Sequence, residues 1–350
     1  MEGYQKFNAK LVDHAIEKGI QYLLSHIENG RWKGFPTLAG ESDIWVTGFV
    51  LAHIQHLCKQ LDTISEVQQY LLQSRHAARG WSYSSSVPPD ADSTAWCLQA
   101  LRSCKNFTVF DAEKAKTFLW SHYTGKGIST YRTDSGIREF ISAPADEFIA
   151  GWTTAHPDVS IAAVLADFQN VNVSAIIKWL TGQQTEKGFI NSYWWRCPHY
   201  ATTLLLRALS GSKDQLSKEY AALIAQSLVK EQLTDGGFGL DSSAVIMNSF
   251  TTALALESFT HLSFIGQQEE RTLCGNTLLH AQLDNGSWPG DYILRIPAPF
   301  VTDPGQVPSW NNADGGGNSL IEDKDGLFTT AMSCHALDCW RKTETKKNTI

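Results

Sequence analysis

The sequence predicts an all-α fold, a single (α/α)6 barrel built of six helical-hairpin repeats. Three observations lead there. A Gly-aromatic turn followed by an apolar helix recurs six times. Helices of two kinds alternate, one apolar almost all round and one apolar on a single face. At 350 residues, the chain needs either two domains or one large closed repeat architecture.

The units follow in order. NGRWKGF leads to WVTGFVLAHI, ARGWSYS to DSTAWCLQAL, and GKGISTY, after an insertion, to PDVSIAAVLADF. EKGFINSYWW then leads to HYATTLLLRAL, DGGFGLD to FTTALALESF, and NGSWPGDY, after a second insertion, to FTTAMSCHAL. Trp32 and Trp81, like Phe238 and Trp288, lie about 50 residues apart, the length of a helical-hairpin repeat. Stretches such as SEVQQYLLQSRHA and RTLCGNTLLHAQ are amphipathic partners that face water. Six inner helices ringed by six outer ones make residues 1–350 one barrel domain, with mouth insertions at about 132–155 and 293–326. Every Gly-aromatic loop precedes an inner helix, so the loops gather where those helix N-termini carry partial positive charge. On repeats alone, a non-catalytic scaffold is an equal alternative.

Composition narrows the function. The 36 acidic and 29 basic residues give a net charge of −7, with no basic block to track a phosphate backbone, so nucleic acid is not an expected partner. No signal peptide and no apolar run of about 20 residues is present, which predicts a soluble chain or one at most peripheral to a membrane. Seven scattered cysteines read as free thiols in a reducing cytoplasm. Twelve Trp, 10 Tyr and 16 Phe are many large rings to place.

The stretch PPDADSTAW, residues 88–96, puts Asp90, Asp92 and Ser93 at an inner helix start. Local rules account for much of it, since proline sets the approach and Asp or Ser caps the first turn. At the mouth of an apolar barrel, however, desolvation and a like-charged neighbour keep a carboxyl protonated. An acid facing a dry hydrocarbon pocket can protonate an alkene, provided hydrogen bonds stabilise its conjugate base. Asp90, Ser93 and the helix N-terminus are the expected donors and neighbours of Asp92. Ring faces around it would stabilise the cation without attacking it.

PPDADSTAWCLQAL resembles the Asp-x-Asp-Asp-Thr-Ala helix start of class II terpene cyclases, the squalene-hopene and oxidosqualene cyclase group. KEQLTDGGFG and HAQLDNGSW resemble that family's QW motifs, and WPGDYIL resembles its Phe-Pro-Gly-Asp-Phe-Tyr-Leu segment. The resemblance implies that Asp92 is the proton donor and Asp90 the aspartate before it. It implies cavity aromatics at Trp45, Tyr83, Tyr131, Phe189, Tyr193, Trp195, Trp288 and Tyr292, with Trp194 in the same cluster. The chain departs from the pattern where Ser93 replaces the third aspartate. The family's donor-contacting histidine falls near Ala162, leaving His156 as the substitute. With one barrel instead of two, the chain resembles a monodomain meroterpenoid cyclase, which implies a farnesylated dihydroxybenzoic acid folded inside the barrel into a sterol-like polycycle.

The insertions are expected to close the mouth, bringing Trp152, His156 and Trp310 to the substrate, with Arg132, Arg196 or Arg295 as partners for a carboxylate head. IEDKDG reads as a solvated turn. No DDxxD-type cluster is present, so neither metal nor cofactor is expected. The partner is a hydrophobic prenylated small molecule. Three rivals remain open: a protein prenyltransferase β-subunit, which needs a zinc set that Cys334, His335 and Cys339 do not obviously supply; a carbohydrate-active barrel; and a prenyl-lipid-binding barrel.

Overall fold

The computed structural model describes residues 6–210, 215–241, 243–262, 265–312 and 315–347. Six helices form an inner ring: α2 (Ile44–Ile54), α4 (Ala91–Ala100), α8 (Pro157–Ala166), α10 (His199–Leu209), α12 (Ser249–His261) and α14 (Leu327–Lys347). Each packs on the next, and α14 returns to α2, which closes the circle. The outer helices are α1 (Ala9–Ser25), α3 (Leu61–Gln73), α5 (Val109–Trp120), α9 (Val173–Thr181), α11 (Gln215–Glu231) and α13 (Gln268–His280). The short helices α6 (Ile137–Phe140) and α7 (Ala150–Thr153) belong to the first insertion. Two hairpins that the repeat pattern does not announce also form, β1 (Gly34–Thr37) with β2 (Gly40–Ser42) and β3 (Leu294–Ile296) with β4 (Ser319–Ile321).

One hydrogen bond explains why the repeats begin as they do. The fourth residue of every inner helix is Thr or Ser, and its hydroxyl accepts the backbone N–H of the preceding turn. Thr47 accepts from Trp32, Thr94 from Trp81, Ser160 from Ile128, Thr202 from Ile190, Thr252 from Phe238 and Thr330 from Trp288, all at 2.7–3.0 Å. The indole N–H groups of Trp32, Trp81 and Trp288 donate at 2.7 Å to carbonyls of Leu23, Leu71 and Leu278 on the outer helices. These three turns are thus fixed to both helices of their hairpins, and their backbone and indole N–H groups are all paired. Gln232 and Gln282 carry the stitching sideways. The Gln232 amide donates to Glu270 O on α13 and the Gln282 amide to Ala15 O on α1, which ties the last repeat to the first.

The barrel lumen is solid. The second residues of the inner helices form a ring of Trp45, Asp92, Asp158, Tyr200, Phe250 and Phe328. Trp195 is packed among its aromatic members, with centroids 4.2 Å from Tyr200, 5.2 Å from Phe250, 5.7 Å from Phe328 and 6.0 Å from Trp45. A turn deeper, Phe49 stacks on Phe328 at 3.9 Å and meets Trp96 at 4.8 Å. Deeper still, fully buried Glu257 holds Arg207 through two hydrogen bonds of 2.7 and 2.9 Å, with His53 and His335 beside them. Rings and a buried ion pair thus occupy the lumen, and the space expected inside the barrel lies instead at its mouth.

Candidate active site

At the start of α4 the backbone of Asp90 is extended (φ −134°) and its side chain caps the helix. Oδ1 accepts the Ser93 backbone N–H at 2.8 Å and Oδ2 accepts the Ser93 hydroxyl at 2.7 Å. Ser93 therefore supports Asp90, not Asp92 as the sequence led us to expect. Asp92 receives its bond from the neighbouring inner helix, where Trp45 Nε1–H donates to its Oδ2 at 2.8 Å. The Trp96 indole, one turn on in α4, also favours the ionised form of Asp92.

The two carboxyls differ in acidity for physical reasons. Burial pushes Asp90 up to about 7, and the Ser93 hydroxyl and N–H hold it from going further. Asp92 is raised well above the ordinary carboxyl range, first by burial and then by the negative charges of Asp90 and Asp158. Both carboxyls are thus held toward the neutral form, and a neighbouring charge adds to burial at Asp92. Asp158, which sequence reading passed over, accepts the backbone N–H groups of Tyr193 at 3.1 Å and Trp194 at 2.9 Å. Its position in α8 is that of Asp92 in α4, and aligning the repeats would have found it.

A cavity of about 500 Å3 opens above this ring. Its floor and near wall carry Asp90, Asp92, Ser93, Trp45, Tyr83 and Tyr131. The first insertion contributes Ile137, Phe140, Ile141 and Trp152, and the second Leu294, Ile296, Pro299 and Gly315 to Gly317. The insertions do cover the mouth, and they are joined: Trp152 Nε1–H donates to Pro297 O at 2.9 Å. A Cβ at Gly151 would sit 2.6 Å from Pro299 O, so glycine is what lets the two segments meet. Ring faces surround the acid. Trp45 stacks with Tyr83 at 5.8 Å, and Tyr131, Trp152 and Trp194 follow at 6.1 and 5.8 Å.

Seven of the residues singled out from sequence lie outside this lining. Trp288 is a turn staple, and Phe189 packs on His199. Trp195 is the central plug, while Tyr193 stacks on His156 and bonds Val301 O. Tyr292 is a backbone contact, its carbonyl accepting from Arg196, and Trp310 lies 5.6 Å from the Arg295 guanidinium. His156 does not touch Asp92. Its Nε2 bonds Gly151 O at 2.7 Å, which makes Nδ1 the acceptor for the Thr130 hydroxyl at 2.8 Å. That hydroxyl in turn accepts the indole N–H of Trp194, the member of its cluster that does reach the cavity. Burial holds the His156 imidazole down at about 3, so it stays neutral.

Among the described residues, no Arg, Lys or His lines the cavity. Arg132 pairs with Asp134, Arg196 with Asp241, and Arg295 donates to the carbonyls of Ser192 and Tyr193. IEDKDG is only partly a solvated turn, since Asp323 is buried and accepts the N–H and hydroxyl of Thr329 in α14. No group of three or more His, Cys, Asp or Glu among the described residues is placed to hold a metal ion. No helix among them is long and apolar enough to cross a membrane.

Comparison with solved structures gives this arrangement its context. MstE from Scytonema, described as a type II terpene cyclase, superposes with a TM-score of 0.87 at 26% identity over 96% of this chain and 99% of that one. The chain has the fold of the type II terpene cyclases. That MstE structure, an arginine-to-alanine variant, holds geranylgeranyl dihydroxybenzoate as substrate. An MstE aspartate-to-alanine variant holds merosterolic acid A as product, with a TM-score of 0.85 at 26% identity over 96% and 98% of the two chains. The cyclase fold also matches a protein from Actinoplanes, TM-score 0.84 at 26% identity over 94% and 99% of the two chains. ent-Copalyl diphosphate synthase from Streptomyces platensis aligns over 84% of this chain but only 50% of its own, at 15% identity and a TM-score of 0.58. The barrel itself is wider than this chemistry, since a heparin-specific unsaturated glucuronyl hydrolase shares it at 11% identity and TM-score 0.59. No model of a known protein family matches the chain, and none of the curated proteins does.

Proposed function

We propose that the protein is a protonation-initiated cyclase of a prenylated dihydroxybenzoate, with Asp92 as the general acid. The observation that carries this reading is a buried carboxyl, raised well above the ordinary range, on the floor of an aromatic, largely apolar cavity. The geranylgeranyl chain bound by MstE replaces the farnesyl chain expected from sequence as the first substrate to test. Asp92 gives its proton to the terminal alkene, and the Trp45 N–H stabilises the carboxylate left behind. Asp90, held by Ser93, keeps the acid's proton in place by its negative charge.

The tertiary cation is then consumed by successive ring closures and regenerated by each of them. Trp45, Tyr83, Tyr131, Trp152 and Trp194 offer π faces along its route. Holding the chain pre-folded removes much of the entropic cost of closure. Loss of a final proton gives a fused polycycle of unchanged mass. His156, Phe189, Tyr193, Trp195 and Trp288 act behind this surface by fixing the walls.

In this proposal residues 1–350 form one cyclase domain, its two insertions standing where a larger family member has a second barrel. The seven free cysteines suit a cytoplasmic location. The exposed side chains of Leu38 and Phe140 at the cavity rim suit peripheral contact with the membrane that supplies a prenylated substrate.

The deciding experiment is mass spectrometry and NMR of products from wild type and Asp92→Asn, incubated without metal with geranylgeranyl and farnesyl dihydroxybenzoate. An isomer with fewer double bonds, made by wild type alone, supports the proposal. Unchanged substrate in both, from folded protein that binds it, sinks catalysis and leaves a prenyl-lipid carrier.

A further inference from the structure

A second concavity, of about 610 Å3, lies on the outer side of the wall that carries the acid. Pro89, which precedes Asp90, and Arg132, which follows Tyr131, belong to it, so the two hollows share a partition. Most of the rest comes from α5 (Lys114, Phe118), from His122 just beyond its end, from the turn at His76 to Arg79 and from Asp134 and Ser135.

Three features set this groove apart from an ordinary surface dip. The His122 side chain is only 2% exposed, and its Nδ1 lies 3.0 Å from Phe118 O, to which it donates. Its Nε2 is therefore a lone-pair acceptor, and it is buried without any partner. Ser135 Oγ, on the facing loop, is likewise buried and unpartnered. Leaving two such atoms unsatisfied is unfavourable, so a ligand that supplies their partners recovers that loss.

The second feature is charge. Arg132 is neutralised by Asp134, but Arg79 and Lys114 form no ion pair among the described residues; the Lys114 ammonium instead rests over the Phe110 ring at 3.6 Å. The third is backbone strain. Arg79 sits at φ +78°, a left-handed conformation rarely adopted by a long side chain, in a turn closed by its N–H to His76 O at 2.8 Å. Strain of this kind concentrates where a side chain is being presented.

We propose that this groove binds a phosphate monoester or inorganic phosphate. The anion meets Arg79 and Lys114, its P–O–H donates to His122 Nε2, and Ser135 bonds a remaining oxygen. A monoprotonated phosphate satisfies acceptor and cations together, whereas chloride or a fully ionised carboxylate has no hydrogen to give to Nε2. The site is independent of the cyclase reading.

The test is NMR of the imidazole nitrogens in 15N-histidine-labelled full-length protein. It is titrated with inorganic phosphate, with glycerol phosphate, and with phosphatidylcholine vesicles with and without phosphatidic acid. Saturable movement of the His122 Nε2 resonance by phosphate or glycerol phosphate supports a soluble ligand. Movement only with phosphatidic acid vesicles supports the same site reading a lipid headgroup. Arg79→Gly, which relaxes the backbone, combined with Lys114→Gln should weaken binding about tenfold or more, and Arg79→Lys with Lys114→Arg should retain it. No movement of His122 in any arm, or binding unchanged in the charge-removing pair, overturns the proposal.

Discussion

The indole N–H of Trp45 donates to the carboxyl of Asp92 at 2.8 Å, joining the second residues of two adjacent inner helices. A donor fixed in this way costs no reorganisation when the proton leaves. Trp45→Phe keeps a ring against Phe328 but loses the bond. Turnover should fall about 10- to 100-fold, and the alkaline limb of the pH profile should move upward because the ionised acid has lost its partner. A profile identical to wild type would show that the bond is not used.

Replacing the acid itself is a sharper intervention. Asp92→Asn should lower single-turnover rates by at least about 10²- to 10⁴-fold, with unchanged circular dichroism and retained substrate binding by calorimetry. Activity surviving within a few-fold of wild type would move the proton donor elsewhere.

Asp90 should leave a signature in stability. Its carboxyl is raised from the ordinary range to about 7 by burial, so the folded state holds the proton more tightly than the unfolded chain. That stabilisation is full below about pH 4 and is lost as pH rises through 7. Relative to Asp90→Asn, wild type should therefore lose melting temperature between pH 4 and pH 7. A difference that is flat with pH would mean Asp90 titrates normally.

Removing a turn staple should separate stability from chemistry. Thr330→Val leaves the buried Trp288 N–H without its acceptor and should destabilise by about 1–3 kcal/mol in denaturant titration. Its product profile should be that of wild type. Trp194→Ala or Tyr131→Ala, in the cavity wall, should instead yield partially cyclised products.

Glu257→Gln strips the partner from Arg207 deep in the lumen and should cost about 3–5 kcal/mol. At a temperature where the variant is folded, turnover should be unaffected.

The barrel was readable because its register repeats. Thr47, Thr94, Ser160, Thr202, Thr252 and Thr330 each hold one turn, and such periodic chemistry shows through in sequence. The same register marks Trp288 as the equivalent of Trp32 and Trp81, a staple; the motif resemblance pulled it into the cavity instead. Trp194 and Trp195 were not separable. They are neighbours in a loop without periodicity, and which one plugs the lumen is decided by distant rings on α2, α10, α12 and α14. The acid's true partner was equally hidden, because Trp45 lies 47 positions away in the chain and meets Asp92 only when the helices pack.

The solid hub around Trp195 divides the molecule's labour. The hub lies beneath the cavity and fixes its floor, whereas the cover and about half of the wall come from two surface segments tied together at Trp152 and Pro297. Trading those segments between homologues would therefore reshape the cavity while leaving the hub untouched.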